Sequence, residues 1–567
     1  MKKYLLNFSK IINLVLSWFN FFLFFAMRCC WSGISKTLGY EKNYDPVILW
    51  LPVMVWVLFL VVFIVNIFLY FILKRDRKIW SFICNFFNVV FLVVNFVIIK
   101  LGAIDYLDYV WPEFLKYVGI TILVLIIGFF IFIYPKTSLH EKKLFKGISF
   151  GLILVLFVCY IVNFSFNSLT TGPVVYAVND EYQIVFSSKT EARAWVTIDG
   201  KRYFDNYNGS NRTYTKIHKV CIPTDILDEA KEYEVHVQKV NYRGPFGGYM
   251  GRDISSDKHS FTPVDTSDGL DYYAMSDIHM GMEASVNAAS HYDYELLILA
   301  GDIVSVVDSF ADVNYVNEVA YKMTKGEVAV VYARGNHEIK GKYAEELHNF
   351  VGADGENFYY NFYLDGVYGV VLDIGEDHDD DWWEYYDTAY YTEYNQKQFE
   401  FLESEIKKEE YKNYAYQLAV CHIPPVFVNS RKNHTDIKAK YTELLNKMNI
   451  DMCISGHQHD LLIFEPGVVT PNEVLKYNPL FSSKKTYKGY LTDFNFTCMT
   501  VSKRGKTQTD SASLTNMKEQ IGVHIVVNFN QNNQEITFNT SNGDLVNVVN
   551  PYADINYGKS INFSLNN

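Results

Sequence analysis

The chain has 567 residues, is 49% hydrophobic and carries a formal net charge of −12, a length beyond what one compact core accommodates. The charge is uneven: residues 1–173 hold 16 Lys/Arg and 7 Asp/Glu, net +9, and the remainder holds 35 and 56, net −21. A C-terminal portion this acidic lacks the clustered cations that a nucleic-acid backbone requires, so no nucleic-acid binding is expected.

In chain order, the first third consists of long apolar runs at 11–27, 47–73, 79–99, 117–134 and 145–166. Each is near the roughly 20 residues that a helix needs to cross a bilayer, so residues 1–170 are expected to form an N-terminal α-helical transmembrane anchor of about five spans. A cleavable signal peptide is the rival for the first run, but no small-x-small site follows Met27. Lys74, Arg75, Arg77 and Lys78, and later Lys136, Lys142, Lys143 and Lys146, mark cytoplasmic loops; Asp105, Asp108 and Glu113 mark an external one. The expectation is a multi-pass plasma-membrane protein, with the lipid bilayer as a partner and everything after about residue 167 extracytoplasmic. The spans carry almost no ionisable groups, which favours an anchor over a transporter.

Residues 171–265 read differently. Short β-branched and aromatic segments, such as Val174–Val178, Tyr182–Ser187, Arg193–Ile198 and Lys216–Ile222, are separated by turn signals that include Asp199-Gly200 and Asn208-Gly209. The pattern predicts a small antiparallel β-sandwich.

From Asp271 onward apolar strands repeatedly end in polar clusters. Tyr272–Met275 runs into Asp277-Ile278-His279, Glu295–Ala300 into Gly301-Asp302, and Glu327–Ala333 into Gly335-Asn336-His337-Glu338. Later, Tyr416–Val420 leads to Cys421-His422, and Ile450–Ile454 leads to Gly456-His457-Gln458-His459. Buried strands with polar C-terminal ends are what an α/β fold offers to a site. Carboxylates, imidazoles and an amide are the donors that hold two divalent cations a few ångströms apart. The one-residue spacing of Asp277 and His279, and of His457 and His459, suits chelation of a single ion. A Cys421–His422 nucleophilic pair is a poor rival, because adjacent strand residues point to opposite faces.

The series D-x-H, G-D, G-N-H-E, H and G-H-x-H, over residues 270 to 465, resembles the calcineurin-like metallophosphoesterase signature. The resemblance implies an α/β domain over residues 266–567, of the four-layer α/β/β/α-type sandwich, with a C-terminal β-rich extension. It implies that Asp277, His279, Asp302 and His459 surround one metal, that Asp302, Asn336, His422 and His457 surround another, and that Asp302 bridges both. Manganese, iron or zinc ions suit that donor set. The resemblance makes His337 and Asp302 catalytic, with Asn336 and His337 also facing the substrate phosphate, and it implies hydrolysis of phosphate mono- or diesters through a metal-bridging hydroxide. The arrangement of a β-domain before such a core is similar to the fibronectin-like N-terminal domain of purple acid phosphatases. Three residues after the bridging aspartate, where those enzymes place an iron-binding tyrosine and several protein phosphatases an aspartate, this chain has Ser305. The group that orients His337 is therefore left open.

Gly375-Glu376-Asp377-His378-Asp379 also resembles a loop common in these enzymes. The acidic, aromatic stretch that follows reads either as a solvated loop or as a lid in which His378 and Tyr386 touch substrate. Two rival functions stand beside hydrolysis: a metal- or ligand-binding domain without turnover, and a regulatory domain serving the membrane bundle.

Overall fold

The structure, a computed structural model, describes residues 86, 168–243, 248–256, 258–429, 435–459, 461–468, 475–477, 487–501, 520–546, 548–550 and 555–566. By its contacts the chain divides into two units, Met1–Asn167 with Gln238–Arg252, and Ser168–Val237 with Asp253–Asn567. The second unit holds the elements that follow.

Its strands are β1 (Leu169–Val178), β2 (Glu181–Ser188), β3 (Ala192–Ile198), β4 (Lys201–Phe204) and β5 (Ile217–Pro223), then β6 (Leu270–Met275), β7 (Leu296–Ala300) and β8 (Ala329–Ala333). A second series comprises β9 (Tyr360–Leu364), β10 (Val367–Leu372), β11 (Tyr416–Cys421), β12 (Met452–Ser455), β13 (Leu462–Phe464) and β14 (Thr497–Thr500). The chain closes with β15 (Ile521–Asn528), β16 (Asn533–Thr540) and β17 (Ser560–Ser564). The helices used below are α1 (Met282–Ala289), α2 (Phe310–Thr324), α3 (Tyr391–Lys408) and α4 (Thr435–Asn446).

Two large sheets result. The nine-stranded one has the order β17-β16-β15-β6-β7-β8-β1-β2-β5, and the six-stranded one β9-β10-β11-β12-β14-β13. The central strands are parallel and read as unbroken apolar runs, LLILA in β7 and AVVYA in β8, because both faces are buried. Side-chain alternation in the six-stranded sheet feeds two cores. Val367, Val371, Leu418, Val420, Met452 and Ile454 pack with the nine-stranded sheet. Tyr368, Val370, Leu372, Ala419, Cys421 and Cys453 pack with Phe399 and Leu402 of α3 and Tyr441, Leu444 and Leu445 of α4. Tyrosine hydroxyls stitch the sheets together: Tyr272 and Tyr416 share a 2.9 Å hydrogen bond, and Tyr360 donates to the Tyr332 carbonyl at 2.7 Å.

Strand register sets the site. Met275 lies level with Leu299, and Ala300 with Ala333, so the loops after β6, β7 and β8 leave from one edge. In the other sheet Leu372 pairs with Cys421 and Val420 with Ile454, so the loops after β10, β11 and β12 leave together as well.

Two expectations need correction. The region expected to be a free-standing fibronectin-like sandwich does not fold apart: β1 pairs in parallel with β8, Val175 against Ala329, and β2 and β5 continue the same nine-stranded sheet. The signal was present in Val174–Val178, whose unbroken apolar run is buried on both faces rather than alternating as a sandwich strand would. β3 and β4 do form a hairpin in a small separate sheet, turned at Asp199-Gly200 with φ of 48° and 77°, the left-handed pair that a tight hairpin turn requires. The second correction concerns the transmembrane bundle and the plasma-membrane location: among the described residues no helix is long and apolar enough to cross a membrane. The apolar runs on which that reading rested lie outside the described residues, apart from Phe86.

Candidate metal centre

The loops at the shared strand edges bring the predicted ligands into two overlapping groups. One donor atom each from Asp277, His279, Asp302 and His459 lie within 4.8 Å of one another. In this group His459 Nε2 stands 3.0 Å from Asp277 Oδ1 and 3.2 Å from His279 Nε2, which is 3.5 Å from Asp302 Oδ2. The second group starts from the same Asp302 oxygen. His422 Nε2 is 3.1 Å from Asp302 Oδ2 and 3.2 Å from Asn336 Oδ1, and His457 Nδ1 is 3.3 Å from Asn336 Oδ1. Asp302 thus belongs to both.

The donor set fits divalent cations. His422 Nδ1 is 2.8 Å from the Ala300 carbonyl, to which only an N–H can bond, so its Nε2 presents either a lone pair or a second proton to two acceptor oxygens. His457 Nε2 is 2.6 Å from Asp377 Oδ2, which leaves its Nδ1 lone pair facing the Asn336 oxygen. Oxygens and imidazole lone pairs at such spacings repel unless a proton or a metal cation lies among them, and two donors bound at about 2.0–2.2 Å to one ion are separated by roughly 3.0–3.5 Å. Asp277 Oδ1, fully buried, receives no hydrogen bond. Tautomers here follow from the hydrogen-bond pattern.

The electrostatics agree. Burial alone would raise the Asp277 carboxyl, yet the imidazoles of His459, His422 and His279 hold it below the usual range. Asp302 is held low against its burial by His422 and His337. Burial opposes charge on His422 too, but Asp302 and Asp277 push its imidazole up to about 10. The carboxylates therefore draw a proton to His422 when no metal does, and metal binding would release it. Burial drives His279 down to about 3, which keeps its ring neutral and available as a ligand.

Five of the candidate ligands sit on strained backbone. Asp277, His279, Asp302, His457 and His459 all have positive φ, between 43° and 69°, a region that side chains other than glycine rarely occupy. Two glycines permit the close approach of the loops: a Cβ on Gly335 would lie 2.2 Å from Asp302 Oδ1, and one on Gly456 would lie 1.8 Å from Ser276 Oγ.

His337 stands at the centre's edge. Its Nδ1 is 2.7 Å from the Ser305 main-chain carbonyl, its Nε2 is 3.9 Å from Asp302 Oδ2, and its backbone N–H donates to Asp302 Oδ1 at 2.9 Å. The carbonyl of Ser305, not its side chain, orients the ring. The solvent-facing side of the centre is made by His459 at 27% exposed, His337 at 20% and His457 at 18%. Of the remaining predicted contacts, His378 stacks on Trp382 with centroids 4.1 Å apart, and Tyr386 is 80% exposed.

Sequence reasoning missed the residues that hold the ligands. Glu338, fully buried, accepts the backbone N–H groups of Asp302, Ile303, Val304 and Gly335 at 2.6–3.1 Å, pinning two ligand loops with one carboxylate. Burial and the neighbouring Asp302 push Glu338 up to about 7. Glu376 accepts from Asn336 Nδ2 at 3.2 Å, which turns the amide oxygen toward His422 and His457. Asp377 receives His457 and Lys438, and despite its burial Lys438 and His457 hold it well below the usual carboxylate range. Further along the same acidic run, Asp380 accepts the backbone N–H groups of Tyr391 and Thr392 and caps α3. A run of like charges gave no signal of such divided duties.

Residues 271–461 match the sequence-family model described as calcineurin-like phosphoesterase. Among solved structures, a purple acid phosphatase from yellow lupin (Lupinus luteus) seeds aligns over 70% of this chain and 74% of its own, at 12% identity and a TM-score of 0.43. GAP50, the anchor in the inner membrane complex of Plasmodium, aligns over 53% of this chain and 89% of its own, at 13% identity and a TM-score of 0.33. No curated protein matches. Residues 271–461, with their ligand loops at the shared strand edges, form a calcineurin-like phosphoesterase domain.

Proposed function

We propose that this chain hydrolyses phosphate mono- or diesters with the help of two divalent cations, one held by Asp277, His279, Asp302 and His459 and the other by Asp302, Asn336, His422 and His457. The observation that carries this reading is the convergence of both donor groups on one oxygen of Asp302, beside an imidazole that belongs to neither. Bound there, divalent cations of the manganese, iron or zinc type would offset phosphoryl charge and make hydroxide available near neutral pH.

The chain's own residues supply the rest. The partly exposed rings of His459, His337 and His457 define the side from which an ester approaches, since Asp277 and His279 are fully buried. His337 donates Nδ1–H to the Ser305 carbonyl, so its Nε2 is the nitrogen available to a phosphoryl or leaving oxygen. It acts there as a hydrogen-bond donor or general acid when protonated. Glu376 and Asp377 keep Asn336 and His457 turned toward the centre.

Metal analysis of the purified full chain, with hydrolysis assays on aryl and alkyl phosphate mono- and diesters, tests the proposal. Bound metal and metal-dependent release of phosphate or alcohol support it. Bound metal without turnover of any ester would favour a ligand-binding domain instead.

A further inference from the structure

α4 presents an unusual residue to the site. Lys438 is 2% exposed, yet it is a cation on a helix whose neighbouring residues Tyr441, Leu444 and Leu445 pack in an apolar core. Its Nζ donates to Asp377 Oδ1 at 2.7 Å and to the Phe427 carbonyl at 3.2 Å. The other oxygen of the same carboxylate, Asp377 Oδ2, receives His457 Nε2 at 2.6 Å. Asp377 is thus shared between a buried cation and a ring whose second nitrogen faces the donor group of Asp302, Asn336 and His422.

Buried ammonium groups are tolerated only when paired. A pair that served packing alone would have no reason to spend its second oxygen on a histidine at the strand edge. The position of Lys438 is also well determined: its carbonyl accepts from Thr442 Oγ1, which also bonds the Pro425 carbonyl, and Tyr441 ties α4 to Asn395 of α3 through a 2.6 Å hydrogen bond. The cation therefore sits at a fixed distance behind the ligand loop.

We infer that Lys438 is a positioning residue for the second metal site, acting through Asp377 to hold His457 with Nε2 protonated and Nδ1 directed at the ion. The inference rests on the proposed metal centre and deepens it. Carboxylates behind metal-bound imidazoles fix the tautomer and the ring orientation, and their loss typically weakens metal binding about 10–100-fold. The buried ammonium fixes the aim of that carboxylate by its hydrogen bond to Asp377 Oδ1, so it carries part of the same effect from a helix that contributes no candidate ligand.

The test is calorimetric titration of Mn²⁺ into the chelator-stripped full chain, in the wild type and in Lys438→Met, Lys438→Arg, Asp377→Asn and the double variant Asp377→Asn/Lys438→Met. The wild type should show two binding events. Lys438→Met should keep the event assigned to Asp277, His279, Asp302 and His459 and weaken the other about 10–100-fold, with Lys438→Arg closer to wild type. Because Lys438 acts through Asp377, adding Lys438→Met to Asp377→Asn should change the second affinity less than about twofold. The neutral double variant also removes the lone buried charge, so it gives the readout even where Lys438→Met folds poorly. Two wild-type binding events in the double variant or in Lys438→Met would overturn the inference and leave the metal centre standing. No Mn²⁺ binding by the wild type would instead overturn the metal centre, and the inference with it.

Discussion

Replacing His337 with alanine separates chemistry from metal binding, because His337 lies against both donor groups without belonging to either. In the structure its Nδ1 bonds the Ser305 carbonyl at 2.7 Å, and its Nε2 lies 3.9 Å from Asp302 Oδ2 on a ring that is partly exposed. If Nε2 gives a proton to the leaving oxygen, its loss slows esters with poor leaving groups by on the order of 10²–10⁴-fold, equivalent to about 3–5 kcal/mol. Esters that leave as stable phenolates need no proton, and for them the loss should be on the order of tenfold. Burial lowers the His337 pKa, so its protonated share, and with it the wild-type rate on alkyl esters, should fall as pH rises, while His337→Ala should lack that decline. The assay compares kcat/KM for alkyl and p-nitrophenyl phosphates across pH, with metal content measured in parallel. Ser305→Ala is the internal control: its hydroxyl makes no hydrogen bond and the orienting carbonyl is main chain, so the change should be less than about twofold. Equal losses on both ester types, loss of metal in His337→Ala, or a Ser305→Ala defect as large as that of His337→Ala would refute the reasoning.

Two further predictions concern stability. Glu338→Ala leaves the N–H groups of Asp302, Ile303, Val304 and Gly335 without their buried acceptor, at about 1–3 kcal/mol each, so urea denaturation in the presence of a chelator should show a loss above roughly 4 kcal/mol; a loss under about 1 kcal/mol would mean that water or backbone movement replaces the carboxylate. Lys219, whose Nζ donates to the His348 carbonyl at 2.6 Å, is pulled by burial from 10.5 down to about 8. Folded and unfolded states both carry its charge below pH 8; between pH 8 and 10.5 only the unfolded state does. Stability of the wild type relative to Lys219→Met should therefore rise across that window, by at most about 3 kcal/mol, and a pH-independent difference would contradict the assignment.

The residues gathered at the candidate centre were legible because each follows an apolar run, and runs that end level in a parallel sheet deliver their loops to one edge. Asp277, His279, Asp302, Asn336, His422, His457 and His459 needed only that logic and a family resemblance. Cys421 and His422 were separable for the same reason: alternation sends the Cys421 side chain into the core with α3 and α4, and His422 stands in the donor group with Asp302 and Asn336. The residues behind the ligands were not legible. Glu338 acts through a carboxylate folded back onto the backbone of a loop more than thirty residues away in sequence, and Lys438 acts across 61 positions. Neither contact leaves a local pattern. The role of Ser305 was hidden because it is played by a carbonyl that every residue possesses. The β-region misled for a different reason: turn signals and β-branched segments specify strands but not the sheet that recruits them, and only the two-sided burial of Val174–Val178 distinguishes a sheet extension from a sandwich.

The central claim is that one carboxylate serves two cations, and Asp302→Asn tests it most directly. The substitution keeps the shape of the side chain and an oxygen for the His337 N–H, so the fold, checked by circular dichroism, should persist. Metal analysis of the wild-type full chain should give about two ions per chain, and Asp302→Asn should lose at least one. Ester hydrolysis should fall in parallel, on the order of 10³-fold for several kcal/mol of lost transition-state stabilisation. A folded Asp302→Asn with unchanged metal content and near-normal turnover would contradict the account.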